Sequence, residues 1–284
     1  MGNVRIVTDS TADIPKSLQE ELNITVVPLK VHFGEETFED GVDLLPDAFY
    51  EKLQSANQIP TTSQPTPYQF ETVYRSIFDE NSDSDIISMH LSSKLSGTFQ
   101  SAYIASQTLG TDVPVSVVDT KRASYAIGII VVELARMAKT GATKEECMKR
   151  LDSLLEDTSV FFMVDTLEFL EKNGRIGKAS AVLGSLLKIK PILSLNNDGE
   201  VFPFEKVRGQ KKAVSRIIQE LETRYGKEDV NIGISHAQCL LEAEEMMSKL
   251  TDNFHVKDQV ITDIGPVIGT HVGPGTIAIS VTKV

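Results

Sequence analysis

The first half of the chain alternates short apolar runs with longer amphipathic stretches, and this alternation constrains the fold more than any other feature. The apolar runs at residues 4–8, 24–31, 86–91 and 113–118 predict strands. Helical stretches lie between them. Strands separated by helices of this length are typical of a mainly parallel α/β sheet, because parallel neighbours need a long crossover connection.

The helices of the first half are predicted from their periodicity and from the residues at their starts. Asp13 is the expected N-cap of the first helix, because a short carboxylate can accept from the free backbone N–H groups and Pro15 suits the first turn. The predicted helices cover residues 15–22, 45–56, 68–78, 97–109, 124–139 and 143–155.

The second half has a different pattern, which predicts an α+β domain. Asn197, Asp198 and Gly199 separate two apolar runs, as in an antiparallel hairpin. Predicted strands cover residues 160–164, 191–195, 201–207, 230–235, 259–264 and 276–281, and predicted helices cover 166–172, 179–188, 211–225 and 240–250. Residues 1–160 carry a net charge of −11 and residues 161–284 only −1, so we predict two domains with these boundaries.

Composition excludes several classes of protein. The net charge of −12 argues against a nucleic-acid binder, and no apolar stretch is long enough to span a membrane. Cys147 and Cys239 lie far from any second cysteine or histidine at ligand spacing, so neither a disulfide nor a metal site is expected. No cofactor is expected either, and this cysteine usage fits a reducing cytoplasm.

Residues 92–98 form a hydroxyl-rich segment directly after a predicted strand, and three interpretations apply. Ser96 could cap the next helix, which accounts for one hydroxyl. Ser96 or Ser93 could be a nucleophile with His271 or His90 as its base, making the protein a serine hydrolase of acyl esters. No Gly-x-Ser-x-Gly motif is present, so we favour the third interpretation, in which the hydroxyls hold a ligand.

A second hydroxyl-rich segment, residues 61–67, precedes the helix predicted at 68–78. Its purely structural interpretation is again a helix cap. We expect both segments to be turns at the carboxyl edge of the sheet, together with the turn at residues 8–13, where α/β proteins bind ligands. Two helix N-termini with neutral hydroxyls would suit a carboxylate or a phosphate.

Two further segments stand out. Residues 264–275 contain four glycines and two prolines around His271, which predicts a loop with close backbone approach. A nucleotide-binding loop is the competing interpretation, although no Walker lysine is present. Residues 172–178 form a basic turn, to which Lys188, Lys190, Arg208, Lys211 and Lys212 could add. It is either solvated surface or a docking face for an acidic partner or a phosphorylated head group.

Jointly, these motifs resemble the DegV family of bacterial fatty-acid-binding proteins. The likeness runs from the first strand almost to the C-terminus, and Asn173 departs from it where the family has a second glycine before Gly174. The matching segments are residues 8–13, 40–42, 62–65, 95–98, 166–170, 174–176, 187–191 and 264–275.

The resemblance implies that a long-chain (C16–C18) fatty acid lies in a tunnel between the two domains. Its carboxylate would be bound by Thr62 and Ser96, beside Gly97, with the His271 loop and Arg175 nearby. The family implies a cytoplasmic, non-catalytic protein that is monomeric alone. Its partner would be the catalytic subunit of a fatty acid kinase, which makes acyl-phosphate for phospholipid synthesis.

Overall fold

The computed structural model describes residues 3–183 and 190–284. The helix predicted over 179–188 is a 3₁₀ helix at Gly177–Val182, and its remaining residues from 184 lie outside the described part. Lys188 and most of the motif at 187–191 also lie outside it. None of the helices in the described ranges is both long and apolar enough to cross a membrane.

Strands and helices are interspersed through the first half, where β2, β3 and β4 follow one another without a helix, and they also mix in the second half. The strands are β1 (Val4–Asp9), β2 (Thr25–Val27), β3 (Lys30–Phe33), β4 (Glu36–Glu39), β5 (Thr61–Ser63), β6 (Asp85–His90), β7 (Val115–Asp119), β8 (Ser159–Met163), β9 (Lys190–Leu195), β10 (Val201–Val207), β11 (Asp229–His236), β12 (His255–Asp263) and β13 (Ile277–Lys283). The helices are α1 (Lys16–Glu21), α2 (Pro46–Ser55), α3 (Pro67–Glu80), α4 (Thr98–Leu109), α5 (Tyr125–Lys139), α6 (Lys144–Asp157), α7 (Glu168–Lys172), α8 (Gln210–Tyr225), α9 (Leu240–Asn253) and α10 (Pro266–Val272).

The predicted parallel sheet is confirmed. Its strands lie in the order β2-β1-β6-β7, and every neighbouring pair is parallel. Helices follow β1 and β6 and return the chain to the next parallel strand. The carboxyl ends of β1 and β6 therefore lie side by side, and they bring Asp9 next to His90.

The second half forms a six-stranded mixed sheet, in the order β10-β9-β8-β13-β11-β12. The predicted hairpin around residues 197–199 is confirmed, since β9 and β10 pair antiparallel. Among the described strands of this sheet, only β11 and β12 pair in parallel. The buried faces of α8 and α9 share a core with this sheet, through residues such as Ile217, Leu221, Met246 and Leu250.

A small three-stranded sheet, in the order β4-β3-β5, corrects two predictions. The single strand predicted at 24–31 is divided into β2 and β3, which belong to different sheets. Pro28 lies between them, and a proline lacks the N–H that a continuous ladder needs. Residues 61–63 are not a turn of the parallel sheet but strand β5, which pairs antiparallel with β3.

The N-cap prediction for Asp13 is wrong. The residue before α1 is Pro15, which makes no side-chain cap bond, and Asp13 itself has a left-handed backbone (φ 49°). Its carboxylate accepts instead from the backbone N–H of Gly265 at 3.0 Å and from the Ser124 hydroxyl at 2.5 Å. Asp13 therefore bonds donors from distant parts of the chain rather than the free N–H groups of α1.

Helix α5 packs between the two large sheets. Apolar residues cover almost its whole circumference, as expected for a helix buried on every side. It contacts β1 in one sheet and β11 and β13 in the other. The core around it also includes Ala237, Ile264 and Val267 from the second half. The division into domains at residues 1–160 and 161–284 stays a prediction.

We expect Gly233→Ala to destabilise the protein by about 1–3 kcal/mol, the usual cost of overpacking. Gly233 lies on β11 against the fully buried ring of Tyr125 in α5, and an added Cβ would overlap that ring. Urea denaturation followed by far-UV circular dichroism measures the change in the free energy of unfolding.

Ser248→Ala is the matched control, because Ser248 is exposed on α9. Its effect should stay within about 0.5 kcal/mol. Equal stability of the two variants would show that α5 and β11 do not pack as closely as described.

Candidate functional site

A central cavity, partly open to solvent, is lined by both halves of the chain. Residues that follow strands of the parallel sheet form one side, and the six-stranded sheet and α10 form the other. Most of the lining is apolar, and it includes Leu29, Leu91, Leu95, Phe162, Val201 and Ile268. The cavity therefore suits a ligand with a large apolar body.

Four of the five residues proposed from the sequence line this one cavity. They are Thr62, Ser96, Arg175 and His271, which come from four separate segments of the chain. The fifth, Gly97, is the N-cap residue of α4 and is not part of the lining. Gly97 packs against the side chain of Gln64, which does line the cavity. A Cβ at Gly97 would lie 2.9 Å from the side-chain nitrogen of Gln64.

Gln64 is a lining residue that the site prediction omitted. It follows β5 directly, and its amide group packs against the backbone of Gly97. The available signal was its place in the segment at residues 61–67, beside Thr62. A side-chain amide can both donate and accept, so Gln64 adds a neutral polar group near Ser96.

Thr62 and His271 are in contact at the wall of the cavity. The Thr62 hydroxyl lies 2.8 Å from Nε2 of His271, although 209 residues separate them in the sequence. The expected glycine-rich loop is in fact partly helical, so His271 lies on α10 rather than in a loop. Nδ1 of His271 is buried and has no hydrogen-bond partner among residues 3–183 and 190–284.

Burial, reinforced by the positive charge of Arg175, lowers the pKa of His271 to about 4. The imidazole is therefore neutral at pH 7 and has one N–H donor and one acceptor nitrogen. One nitrogen faces Thr62, and the other has no protein partner in the described residues. A buried polar atom without a partner is costly, so a polar ligand group at Nδ1 would be stabilised.

Arg175 is held by backbone carbonyls rather than by an acidic side chain. Its Nε donates to Leu95 at 3.0 Å and its Nη1 to Asn173 at 2.6 Å. No carboxylate of the described ranges lies within ion-pair distance of Arg175. Lys172 and Lys178, by contrast, pair with Glu168 and Glu200 at the surface. Within the predicted basic turn, Arg175 is thus the cation that faces the cavity.

The hydroxyl-rich segment at 92–98 has mixed roles. Ser96 accepts from the N–H of Thr98 at 3.3 Å and lies 2.9 Å from its hydroxyl, but the N-cap residue of α4 is Gly97, so the prediction that Ser96 is the cap is wrong. Ser92 is fully buried and donates to the carbonyl of Gly199 in the β9–β10 turn at 2.8 Å. Ser92 therefore links the two halves of the protein, and Ser96 is the serine of this segment that lines the cavity.

His90 belongs to a buried chain of hydrogen bonds that sequence analysis missed. Its Nδ1 lies 2.9 Å from Asp9 Oδ2, and its Nε2 lies 2.7 Å from the Ser88 hydroxyl, which contacts Tyr74. Serine, histidine and aspartate follow the order of a catalytic triad, yet all three are completely inaccessible to solvent. Asp9 also accepts from Leu91 N–H, so this chain fixes the ends of β1 and β6.

The nucleophile interpretation gains no support from these contacts. Neither Ser93 nor Ser96 forms a hydrogen bond with a histidine in the part of the chain that the structure describes. The bases considered for them, His90 and His271, are bonded to Ser88 and Thr62 instead. The described residues also contain no group of acidic, cysteine and histidine side chains suited to a metal ion.

Comparison with known proteins gives one consistent match. The family model for DegV, described as an uncharacterised protein family, matches residues 3–284. A fatty acid-binding protein of Thermotoga maritima is 38% identical, over 98% of this chain and 97% of its own. A fatty-acid-binding DegV family protein of Thermus thermophilus has a TM-score of 0.91 at 34% identity, covering 99% of this chain and 100% of its own. A stearic acid-binding protein of Eubacterium ventriosum has a TM-score of 0.89 at 27% identity, covering 100% of this chain and 98% of its own.

We expect His271→Gln to make protein stability less sensitive to acid. In the ligand-free wild type, the unfolded imidazole binds a proton below about pH 6.5, whereas the folded one binds it only near its lowered pKa of about 4. The free energy of unfolding should therefore fall between these pH values, by at most about 1.4 kcal/mol per pH unit from this one group.

Urea denaturation at several pH values between 7 and 4.5 measures both curves. The variant should lose stability more slowly as the pH falls. Parallel curves for the two proteins would contradict the neutral, buried state assigned to His271.

Proposed function

The chain belongs to the DegV family, and from this premise we propose that it binds a long-chain fatty acid in the central cavity. The carboxylate occupies the polar end at Thr62, Ser96, Arg175 and His271, and the alkyl chain lies among the apolar residues. The observation that carries this proposal is the buried Nδ1 of His271, a residue that lines this mostly apolar cavity and whose Nδ1 lacks a partner in the described residues.

The energetics of chain burial are sufficient for tight retention. A C16 acid buries about 14 methylenes, worth roughly 11 kcal/mol gross at about 0.8 kcal/mol each. Lost motion of the ligand and ordering of the cavity side chains offset several kcal/mol of this. The remainder still supports retention of an otherwise poorly soluble acid inside the protein.

The polar end provides what an ionised carboxylate needs on burial. A buried carboxylate without hydrogen bonds would be expelled or would take up a proton. The Ser96 hydroxyl supplies one donor. The Thr62–His271 pair supplies a second, which is Nδ1–H of His271 when Thr62 donates to Nε2, or the Thr62 hydroxyl when Nε2–H donates to Thr62. Arg175, which has no acidic partner among the described residues, supplies a positive charge near the imidazole.

We further propose that the protein acts without catalysis of its own and presents the bound carboxylate to the catalytic subunit of a fatty acid kinase. A carboxylate oxygen attacks the γ-phosphorus of ATP bound by that partner, the new O–P bond forms, and ADP leaves. In this proposal the protein hydroxyls only hold the acid in place. The oxygen that attacks phosphorus belongs to the fatty-acid carboxylate and not to a serine of the protein. The retained product would be a C16–C18 acyl-phosphate.

We expect the double variant Thr62→Ala/Ser96→Ala to bind palmitate at least about tenfold more weakly than wild type. Each hydrogen bond to a charged group contributes about 1.5–3 kcal/mol, and about 1.4 kcal/mol corresponds to tenfold in affinity. Displacement of a fluorescent fatty acid measures the dissociation constant, and circular dichroism verifies that the variant is folded.

The control for this experiment is Ser82→Ala/Thr111→Ala, which removes two exposed hydroxyls and should leave the affinity unchanged. Equal affinity of wild type and Thr62→Ala/Ser96→Ala would reject the carboxylate assignment. Hydrolysis of an aryl ester that Ser96→Ala abolishes, or a stable acyl adduct on a serine, would instead establish the hydrolase alternative.

The kinase role makes a separate prediction. Palmitate-loaded protein is mixed with a fatty acid kinase catalytic subunit and γ-labelled ATP. The label should appear in a lipid, and hydroxylamine should release it from that lipid, because hydroxylamine cleaves acyl-phosphates. Protein stripped of fatty acid should give no such label. Two outcomes would contradict presentation of the acid to this kinase: label attached to the polypeptide, or no labelled lipid from the palmitate-loaded protein. Neither outcome would contradict fatty-acid binding.

A further inference from the structure

A second pocket lies next to the start of α10 and plays no part in the proposed function. Gly265 and Pro266 line this pocket, whereas Ile264 and Val267, on either side of them, line the central cavity. The second pocket also contains the motifs at residues 8–13 and 40–42, which the fatty-acid site does not use. Its acidic residues are Asp9, Asp13, Asp40 and Asp263.

Two of these aspartates have clear structural roles. Asp9 accepts from the N–H groups of Thr11 and Leu91 and bonds His90, so both of its oxygens are satisfied. Asp13 accepts from Gly265 and Ser124, one donor on each oxygen. Neither carboxylate therefore requires a further partner.

Asp40 is different. Its side chain is buried, with 4% of the residue exposed, and its Oδ2 has no hydrogen-bond partner within the described ranges. Gly265 lies against it, because an added Cβ there would be 3.2 Å from Asp40 Oδ1. Burying a carboxylate oxygen without a hydrogen-bond donor costs free energy, so a cation bound next to Asp40 Oδ2 would be stabilised by it.

The groups around Asp40 are mainly acidic. Asp9 on β1, Asp13 before α1 and Tyr50 on α2 lie close enough to interact electrostatically with it. Asp263 at the end of β12 and Lys16 on α1 also line the pocket. Burial raises the pKa of Asp40 to about 7, Asp9 adds to the effect, and the Ser10 hydroxyl and Val267 N–H oppose it. The charge on Asp40 therefore develops near neutral pH, and a cation would favour it.

The rim of the pocket is apolar and exposed. Val42 and Leu45 line it, with 63% and 57% of their surfaces accessible. The Gln238 side chain donates to Asp47 at 3.2 Å, which places the start of α9 beside α2. Leu240 and Leu241 at that start are also exposed. A ligand that fits both features has a positive head group and an apolar body.

We propose that this pocket, centred on Asp40, binds an ammonium or guanidinium group carried on an apolar body. The described residues contain no cluster suited to a metal ion, which favours an organic cation. Such a group can supply the missing donor to Asp40 Oδ2 and a positive charge among the neighbouring carboxylates. Its source is either a free organic amine or a basic side chain that a partner protein inserts.

The test uses butylguanidinium as the small cation and the peptide acetyl-Leu-Arg-Leu-amide as the basic side chain. Butylurea and the citrulline peptide are their uncharged counterparts. Binding to the full-length protein is followed by NMR through the shifts of Asp40 and Gly265. A small molecule that binds where the peptide does not identifies a free amine as the source, and the reverse identifies a partner's side chain.

We expect a charged probe to bind about tenfold more tightly at pH 8 than at pH 6, because Asp40 loses its proton in this interval. Asp40→Asn should abolish both the pH dependence and most of the affinity. Asp112→Asn, which removes an exposed carboxylate outside the pocket, is the matched control and should change neither.

Three results would overturn the proposal. They are no binding of either charged probe, equal binding of a charged probe and its uncharged counterpart, and equal affinity at pH 6 and pH 8. The last two comparisons use wild-type protein only, so they decide the question even if Asp40→Asn were to fold poorly.

Discussion

Burial of α5 between two sheets is the constraint on which the rest of the structure depends. The helix is apolar on nearly every face, so it is stable only where protein surrounds it. The parallel sheet covers one side and the six-stranded sheet the other. Their separation is therefore fixed by the diameter of one helix, and beyond its N-terminus the same separation leaves the central cavity open.

The N-terminus of α5 also connects the central cavity with the pocket around Asp40. Ser124 precedes the helix, lines the cavity, and donates to Asp13 while contacting the Ser235 hydroxyl at 2.8 Å. Asp13 in turn accepts from Gly265, the residue before α10. One chain of hydrogen bonds thus connects the central helix to the short helix that carries His271. Both pockets adjoin this connection, which is why they share the start of α10.

Local sequence patterns predicted the regular elements well and the irregular ones less well. Alternation of apolar runs and helices gave the parallel sheet, and Asn197-Asp198-Gly199 gave the hairpin. The errors fall at short elements, where a three-residue strand such as β5 has the composition of a turn. Glycine misled the prediction for α10, because Gly269 serves packing rather than a loop. A Cβ there would lie 2.7 Å from both the Phe49 ring and the Tyr50 hydroxyl.

The sequence by itself determined the class of fold, and it supplied the polar residues that could hold an anion. Only the tertiary structure decided which of them meet. Thr62 and His271 are 209 residues apart yet hydrogen-bonded, and the charge states of His271 and Asp40 follow from their burial. Periodicity and turn signals arise between near neighbours in the chain, so they can be read locally. Hydrogen bonding and desolvation depend on distances between remote segments, and these exist only once the chain has folded.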